Sequence, residues 1–112
     1  MKISKRNDGD VVIYDLKGGL EGGPETYAIK DKIKADLEEG KRKFLLNLND
    51  VDFVNSTGIG IITSVYSSIS GAEGVMKICN ANSKVSKIML VTKLLDVFDS
   101  YYDEGEAIQA FS

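Results

Sequence analysis

Along its length the chain alternates between short runs of β-type residues and amphipathic stretches of helical period. Residues 2–5 predict a first strand, Asn7-Asp8-Gly9-Asp10 a turn, and 11–16 a second strand, closing a hairpin. Val11-Val12-Ile13-Tyr14 supplies the β-branched and aromatic side chains that strands favour. The segment 18–24 holds four of the eleven glycines and the only proline, and it predicts a loop in which Pro24 opens a helix, where its missing N–H costs nothing. Over 25–39, Ala28, Ile29, Ile33 and Leu37 recur at helical spacing while Lys30, Asp31, Lys34 and Glu38 face water, and Gly40 ends the helix.

A third strand is predicted over 43–49, where Phe44, Leu46 and Leu48 alternate with Leu45, Asn47 and Asn49. A second helix runs from Ser56 or Thr57 to about Ser70, with Ile59, Ile62, Val65, Tyr66 and Ile69 as its inner stripe and Gly71 as its end. The remainder predicts a fourth strand over 75–80, a third helix over 83–93 with Val85, Ile88 and Met89 inward, and a short strand at Val97-Phe98. A terminal helix over 104–111 follows, apolar at Ala107, Ile108 and Phe111. Strands separated by helices imply crossover connections and an α/β (α+β) class.

Composition narrows the chemistry. At 112 residues the chain is one domain, 1–112, with 43% hydrophobic and 28% charged residues, an ordinary balance for a globular protein. The formal net charge of −3 gives a nucleic acid little to bind, and Lys41-Arg42-Lys43 reads as a solvated turn. No stretch approaches the roughly 18 apolar residues of a membrane span. Residues 1–6 lack the apolar region of a signal peptide, so a cytoplasmic location is expected.

Histidine is absent, which removes Ser-His-Asp catalysis and makes imidazole zinc sites implausible; the single Cys79 allows no internal disulfide and reads as a small core residue. Asp50 with Asp52 and Asp103 with Glu104 fall in predicted loops or on exposed faces. Without a cofactor fingerprint they read as surface charge, so no enzyme and no cofactor is expected.

The chemically informative stretch is Val51-Asp52-Phe53-Val54-Asn55-Ser56-Thr57-Gly58-Ile59-Gly60, where a strand exit meets a hydroxyl pair and a helical pattern. Asn55, Ser56 and Thr57 are all good helix caps, so the hydroxyls stand at a helix N-terminus, whose free N–H groups and dipole favour negative charge. A phosphate on Ser56 would add roughly 1.5 to 2 negative charges among those donors. The plainer alternative is that Ser56 is an ordinary cap. Gly58 and Gly60 each cost a helix roughly 0.5 to 1 kcal/mol relative to alanine. Either they keep Ser56 open to a partner or they let the helix pack closely on the sheet. The serines 64, 67, 68 and 70 read as a solvent-exposed face.

Asn55-Ser56-Thr57-Gly58-Ile59-Gly60 resembles the Asp-Ser-Ser/Thr/Ala-Gly-Leu/Ile-Gly signature of STAS domains, above all the small anti-sigma-factor antagonists. Phe44-Leu45-Leu46-Asn47-Leu48-Asn49 with Val51-Asp52-Phe53 resembles that family's third strand and its loop, Val75-Met76-Lys77-Ile78-Cys79-Asn80 its fourth strand, and Leu94-Leu95-Asp96-Val97-Phe98 its closing turn. The resemblance implies a STAS-type fold: a mixed sheet of four to five strands with about four helices packed mainly on one side.

It also implies partner switching. The unmodified protein binds an anti-sigma serine kinase, phosphorylation of Ser56 releases it, and a serine phosphatase resets the cycle; a monomer is expected. Ser56 matches the family phosphoserine and Thr57 its neighbour. Glu21 matches approximately an acidic residue placed near the serine. Asn55, Gly58, Ile59 and Ile61 would complete the partner-facing surface. Asn55 departs from the family aspartate, keeping a cap but losing a charge, which alters what a kinase would meet.

A different class of reading is a nonphosphorylated STAS interaction module in a regulatory or lipid-transport complex; the Ser56-Thr57 pair favours the switch and Asn55 favours the module. Nucleotide binding has little support, since 18–23 carries no lysine of a Walker loop.

Overall fold

The apolar runs of the second, third and fourth strands sit in the middle of the sheet and are covered on both faces, which is why they read as near-continuous rather than cleanly alternating. The computed structural model describes residues 1–80 and 99–111. Its elements are β1 (Lys2–Asp8), β2 (Val11–Leu20), α1 (Pro24–Glu38), β3 (Lys43–Val54), α2 (Ser56–Gly71), β4 (Val75–Cys79), β5 (Asp99–Tyr101) and α3 (Glu104–Ala110). The sheet order is β1-β2-β3-β4-β5, antiparallel for the first pair and parallel for the rest. Parallel neighbours need a crossover, and α1 and α2 supply it between β2 and β3 and between β3 and β4.

Val12, Tyr14 and Leu16 of β2, Phe44, Leu46 and Leu48 of β3, and Met76 and Ile78 of β4 point to one face, where they meet Ile29 and Ile33 of α1 and Ile62, Val65 and Ile69 of α2. Val11, Ile13, Leu45 and Cys79 point to the other and meet Ala107, with Ile108, Phe111 and Tyr101 around it. Two of the three described helices thus share a face, and the third covers the other. The predicted helix over 83–93 and strand at Val97-Phe98 lie outside the described residues.

Three strands run further than the sequence pattern indicates; β1, expected over 2–5, continues through Asn7 to Asp8 and leaves Gly9-Asp10 as the turn. Gly18, Gly19 and Leu20, expected in a loop, extend β2, and residues 50–54, expected beyond the third strand, extend β3. The extensions of β2 and β3 pair as Gly18↔Val51, Gly19↔Phe53 and Leu20↔Val54 after register shifts. Their apolar anchors Leu20, Val51 and Val54 are buried, and this outweighs the weak strand propensity of the glycines.

On α1, Ala28 and Leu37 are only partly buried, whereas Thr26 and Asp36 are buried beside Ile29 and Ile33. Asp36 accepts from the Tyr14 hydroxyl and pairs with Lys5 Nζ at 2.5 Å. Burial first, and the Asp36 carboxylate second, push the Tyr14 hydroxyl well above the usual phenol range. Asp36→Ala leaves that buried hydroxyl without its acceptor, so a loss of about 1–3 kcal/mol is expected in a denaturant titration; an unchanged midpoint would mean that the network contributes nothing.

The carboxylates near the C-terminus have structural duties. Asp103 caps α3 by accepting from the Glu106 N–H at 2.8 Å, and Glu104 shares Arg6 with Asp15, which fastens α3 to the first two strands. Arg42 donates to the Leu37 carbonyl at the end of α1, and Lys43 pairs with Asp10, so the basic run closes a turn. Cys79 is fully buried, and burial pushes its thiol up to about 12. In the folded protein it should stay protonated at pH 8 and react with an aromatic disulfide only on unfolding; fast labelling of the native protein would contradict this.

Candidate functional site

Because β2 and β3 are parallel neighbours, their C-terminal ends leave the sheet at the same edge, with Leu20 opposite Val54. From Leu20 the chain passes through 21–23 into α1, and from Val54 it turns at Asn55 into α2. Two segments far apart in sequence are therefore set side by side. Among the described residues no group of three His, Cys, Asp or Glu side chains could hold a metal ion.

Asn55 is the N-cap of α2. Its backbone is extended (φ −109°, ψ 178°), and its Oδ1 accepts from the Gly58 N–H at 2.8 Å. Its own N–H donates to the Leu20 carbonyl at 3.2 Å, and its Nδ2 donates to the Glu21 carbonyl at 3.1 Å. Ser56 is the first helical residue and is exposed, as is Thr57 beside it. The alternative of Ser56 as the cap is therefore corrected: the capping bond belongs to Asn55, because the helix begins one residue after it. The N–H groups of Ser56 and Thr57 lie in the first turn, where helix geometry supplies no intrahelical acceptor.

The two glycines of the motif separate cleanly. A Cβ on Gly58 would stand 2.0 Å from the Leu20 carbonyl oxygen, whereas a Cβ on Gly60 would meet nothing within 4 Å. Close packing explains the first, and an open helix surface surrounds the second. Gly58 thereby sets the rotation of α2, so that Gly58, Ile61, Ile62, Val65 and Ile69 form the buried stripe. Ile61, expected to face a partner, is a correction, since it is only 4% exposed. Gly58 likewise offers no surface. Ile59, expected both in the inner stripe and toward a partner, and Tyr66, expected inward, lie partly buried at the margin of the core.

Glu21 is brought to the site through its backbone. Its carboxylate folds over Gly19, where a Cβ would lie 2.7 Å from Oε1, while its carbonyl receives Asn55. Sequence reasoning missed two contributors. Leu20 provides a carbonyl to Asn55 and a floor for Gly58, and Gly22, at φ +89°, lies so close to Thr57 that a Cβ would come within 2.4 Å of Cγ2. The clustering of glycines on either side of Leu20 was the available signal for such close backbone approach.

Residues 2–107 match the family described as the STAS domain. Among individual relatives, the anti-sigma F factor antagonist of Paenibacillus polymyxa is 23% identical over 96% of this chain and 92% of its own length. The TM1081 homologue of Thermotoga neapolitana is 29% identical over 73 residues, a match spanning 65% of each protein. The crystal structure of the Thermotoga maritima protein TM1081 superposes with a TM-score of 0.88 at 26% identity, covering 96% of this chain and 92% of that one. The Bacillus cell fate determinant SpoIIAA in its phosphorylated form gives a TM-score of 0.78 at 18% identity, over 99% of this chain and all of that one, a likeness of fold. With a family match from residue 2 to residue 107, on a sheet whose parallel strands present the Asn55-Ser56-Thr57 turn, the chain belongs to the STAS domain family.

Proposed function

We propose that this protein is an anti-sigma-factor antagonist that works by partner switching. In the unmodified state it binds an anti-sigma factor that is also a serine kinase; phosphorylation of Ser56 breaks the complex, and a serine phosphatase restores it. The observation that carries this reading is the placement of Ser56, whose neighbours Asn55, Thr57 and Gly58 contact the 20–22 segment while Ser56 itself is exposed at the start of α2. The relatives named as anti-sigma factor antagonists support it.

The physics of the turn suits a switch. A dianionic phosphate at the first helical residue is favoured by the helix dipole and by the open N–H groups of the first turn, so the fold tolerates it. The cost falls on whatever partner is packed there, through desolvation and repulsion of acidic neighbours. No catalytic role is assigned to the protein; it is a substrate of the kinase and the phosphatase, acting as a cytoplasmic monomer. The second reading, a nonphosphorylated STAS module of a larger complex, is favoured by Asn55 in place of the family aspartate.

The deciding experiment is intact mass with site mapping on protein purified from its own cells during growth and under stress. One phosphate on Ser56 is expected. Its absence under both conditions would overturn the switch and leave the module.

A further inference from the structure

We infer that Asn55 is a positioning residue: its amide clasps the 21–23 segment to the first turn of α2, so that the 21–23 backbone and Ser56 are presented as one preorganised surface. The inference rests on reading this turn as the partner-facing site, and it explains what an asparagine does there that an aspartate cannot. A carboxylate can accept from the Gly58 N–H and so keep the cap, but it has no proton to give the Glu21 carbonyl. The amide does both, accepting at 2.8 Å and donating at 3.1 Å. The partners leave no ambiguity about which end is which, because a backbone N–H can only donate and a backbone carbonyl can only accept.

The surroundings make the donor bond consequential. Residues 22 and 23 are both glycine and precede Pro24, so the chain between Leu20 and α1 has little side-chain packing of its own. Its attachments to the α2 turn are the Asn55 Nδ2 bond to Glu21 and the fit of the Thr57 methyl over Gly22. Both come from residues flanking Ser56. A loop held in this way does not have to be ordered at the moment a partner binds, which lowers the entropic cost of association.

The test uses the whole chain, free of any partner, by NMR. Asn55→Asp keeps the cap and removes the donor. Asn55→Ser keeps a neutral cap with a side chain too short to serve both the Gly58 N–H and the Glu21 carbonyl. In the parent protein the backbone of 21–23 should give order parameters near about 0.85, falling below about 0.6 in both variants. The Gly58 amide should stay protected from exchange throughout. The Asn55 side-chain amide proton that faces the Glu21 carbonyl should exchange roughly three- to tenfold more slowly than those of the exposed Asn7.

A 21–23 segment equally ordered in the parent and both variants would overturn the clasp, as would an Asn55 amide exchanging as fast as that of Asn7. Loss of Gly58 protection along with loop order would assign the effect to the cap and overturn it too. Since none of these readings involves a kinase or a phosphate, failure of the clasp and failure of partner switching are separately visible.

Discussion

Replacing Gly58 with alanine should destabilise the protein by about 2–4 kcal/mol, although alanine is the better helix former by roughly 1 kcal/mol. The added methyl would lie 2.0 Å from the Leu20 carbonyl oxygen, 2.6 Å from its carbon and 2.9 Å from its Cβ. Two of these atoms are backbone, locked in the ladder by the Leu20↔Val54 pairing, so they cannot swing aside as the end of a side chain would. The N-terminus of α2 must move instead, stretching the bond from the Asn55 N–H to the same carbonyl. Gly60→Ala provides the opposite sign, because nothing lies near its Cβ and the position is exposed, and a gain of roughly 0.5–1 kcal/mol is expected. Urea titrations of the two variants beside the parent check both. A Gly58→Ala protein as stable as the parent would mean that α2 is not seated on Leu20.

The second large effect concerns binding. Ser56→Ala should remain bound to the cognate kinase without release, while Ser56→Asp should lose roughly 10² to 10³-fold in affinity, a coupling of a few kcal/mol. Neither substitution should disturb the fold, since Ser56 is exposed and the cap is made by Asn55. An aspartate in the first turn is, if anything, favoured by the helix dipole. The comparison therefore isolates the interface. Calorimetric titration of both variants against the kinase gives the answer, and equal affinities would sink the switch.

Much of this arrangement was legible in the sequence because it depends on local chemistry. The hairpin, the helix after Asn55 and the solvent-facing hydroxyl follow from turn dipeptides, capping residues and periodicity. What escaped was set by contacts between segments distant along the chain. Gly18 to Leu20 carries the composition of a loop, and it becomes strand because β3 offers it a partner ladder with buried Val51 and Val54. Asp36 has the look of a solvated helix residue, and it is buried because Tyr14 and Lys5 wait for it on β2 and β1. Ile61 was expected outward because the rotation of α2 is fixed by a backbone carbonyl, which leaves no mark on any side-chain pattern. At the site, the residue types of Asn55, Ser56 and Thr57 were readable. The contributions of Leu20 and Gly22 were signalled only by the glycines clustered around Leu20, since both act through backbone.

The site also depends on the order in which the chain comes together. Leu20 and Val54 form the final rung between two strands separated by a whole helix in sequence, and contacts of that separation are the slow ones to form in folding. A newly made or partly unfolded chain whose ladder has not closed to its end lacks the Leu20 carbonyl under Gly58 and the Glu21 carbonyl beside Asn55. It has Ser56 but not the surface that surrounds it. A kinase that reads the assembled surface would therefore act only on chains that have finished folding, and nascent or damaged copies would neither occupy it nor draw on its ATP.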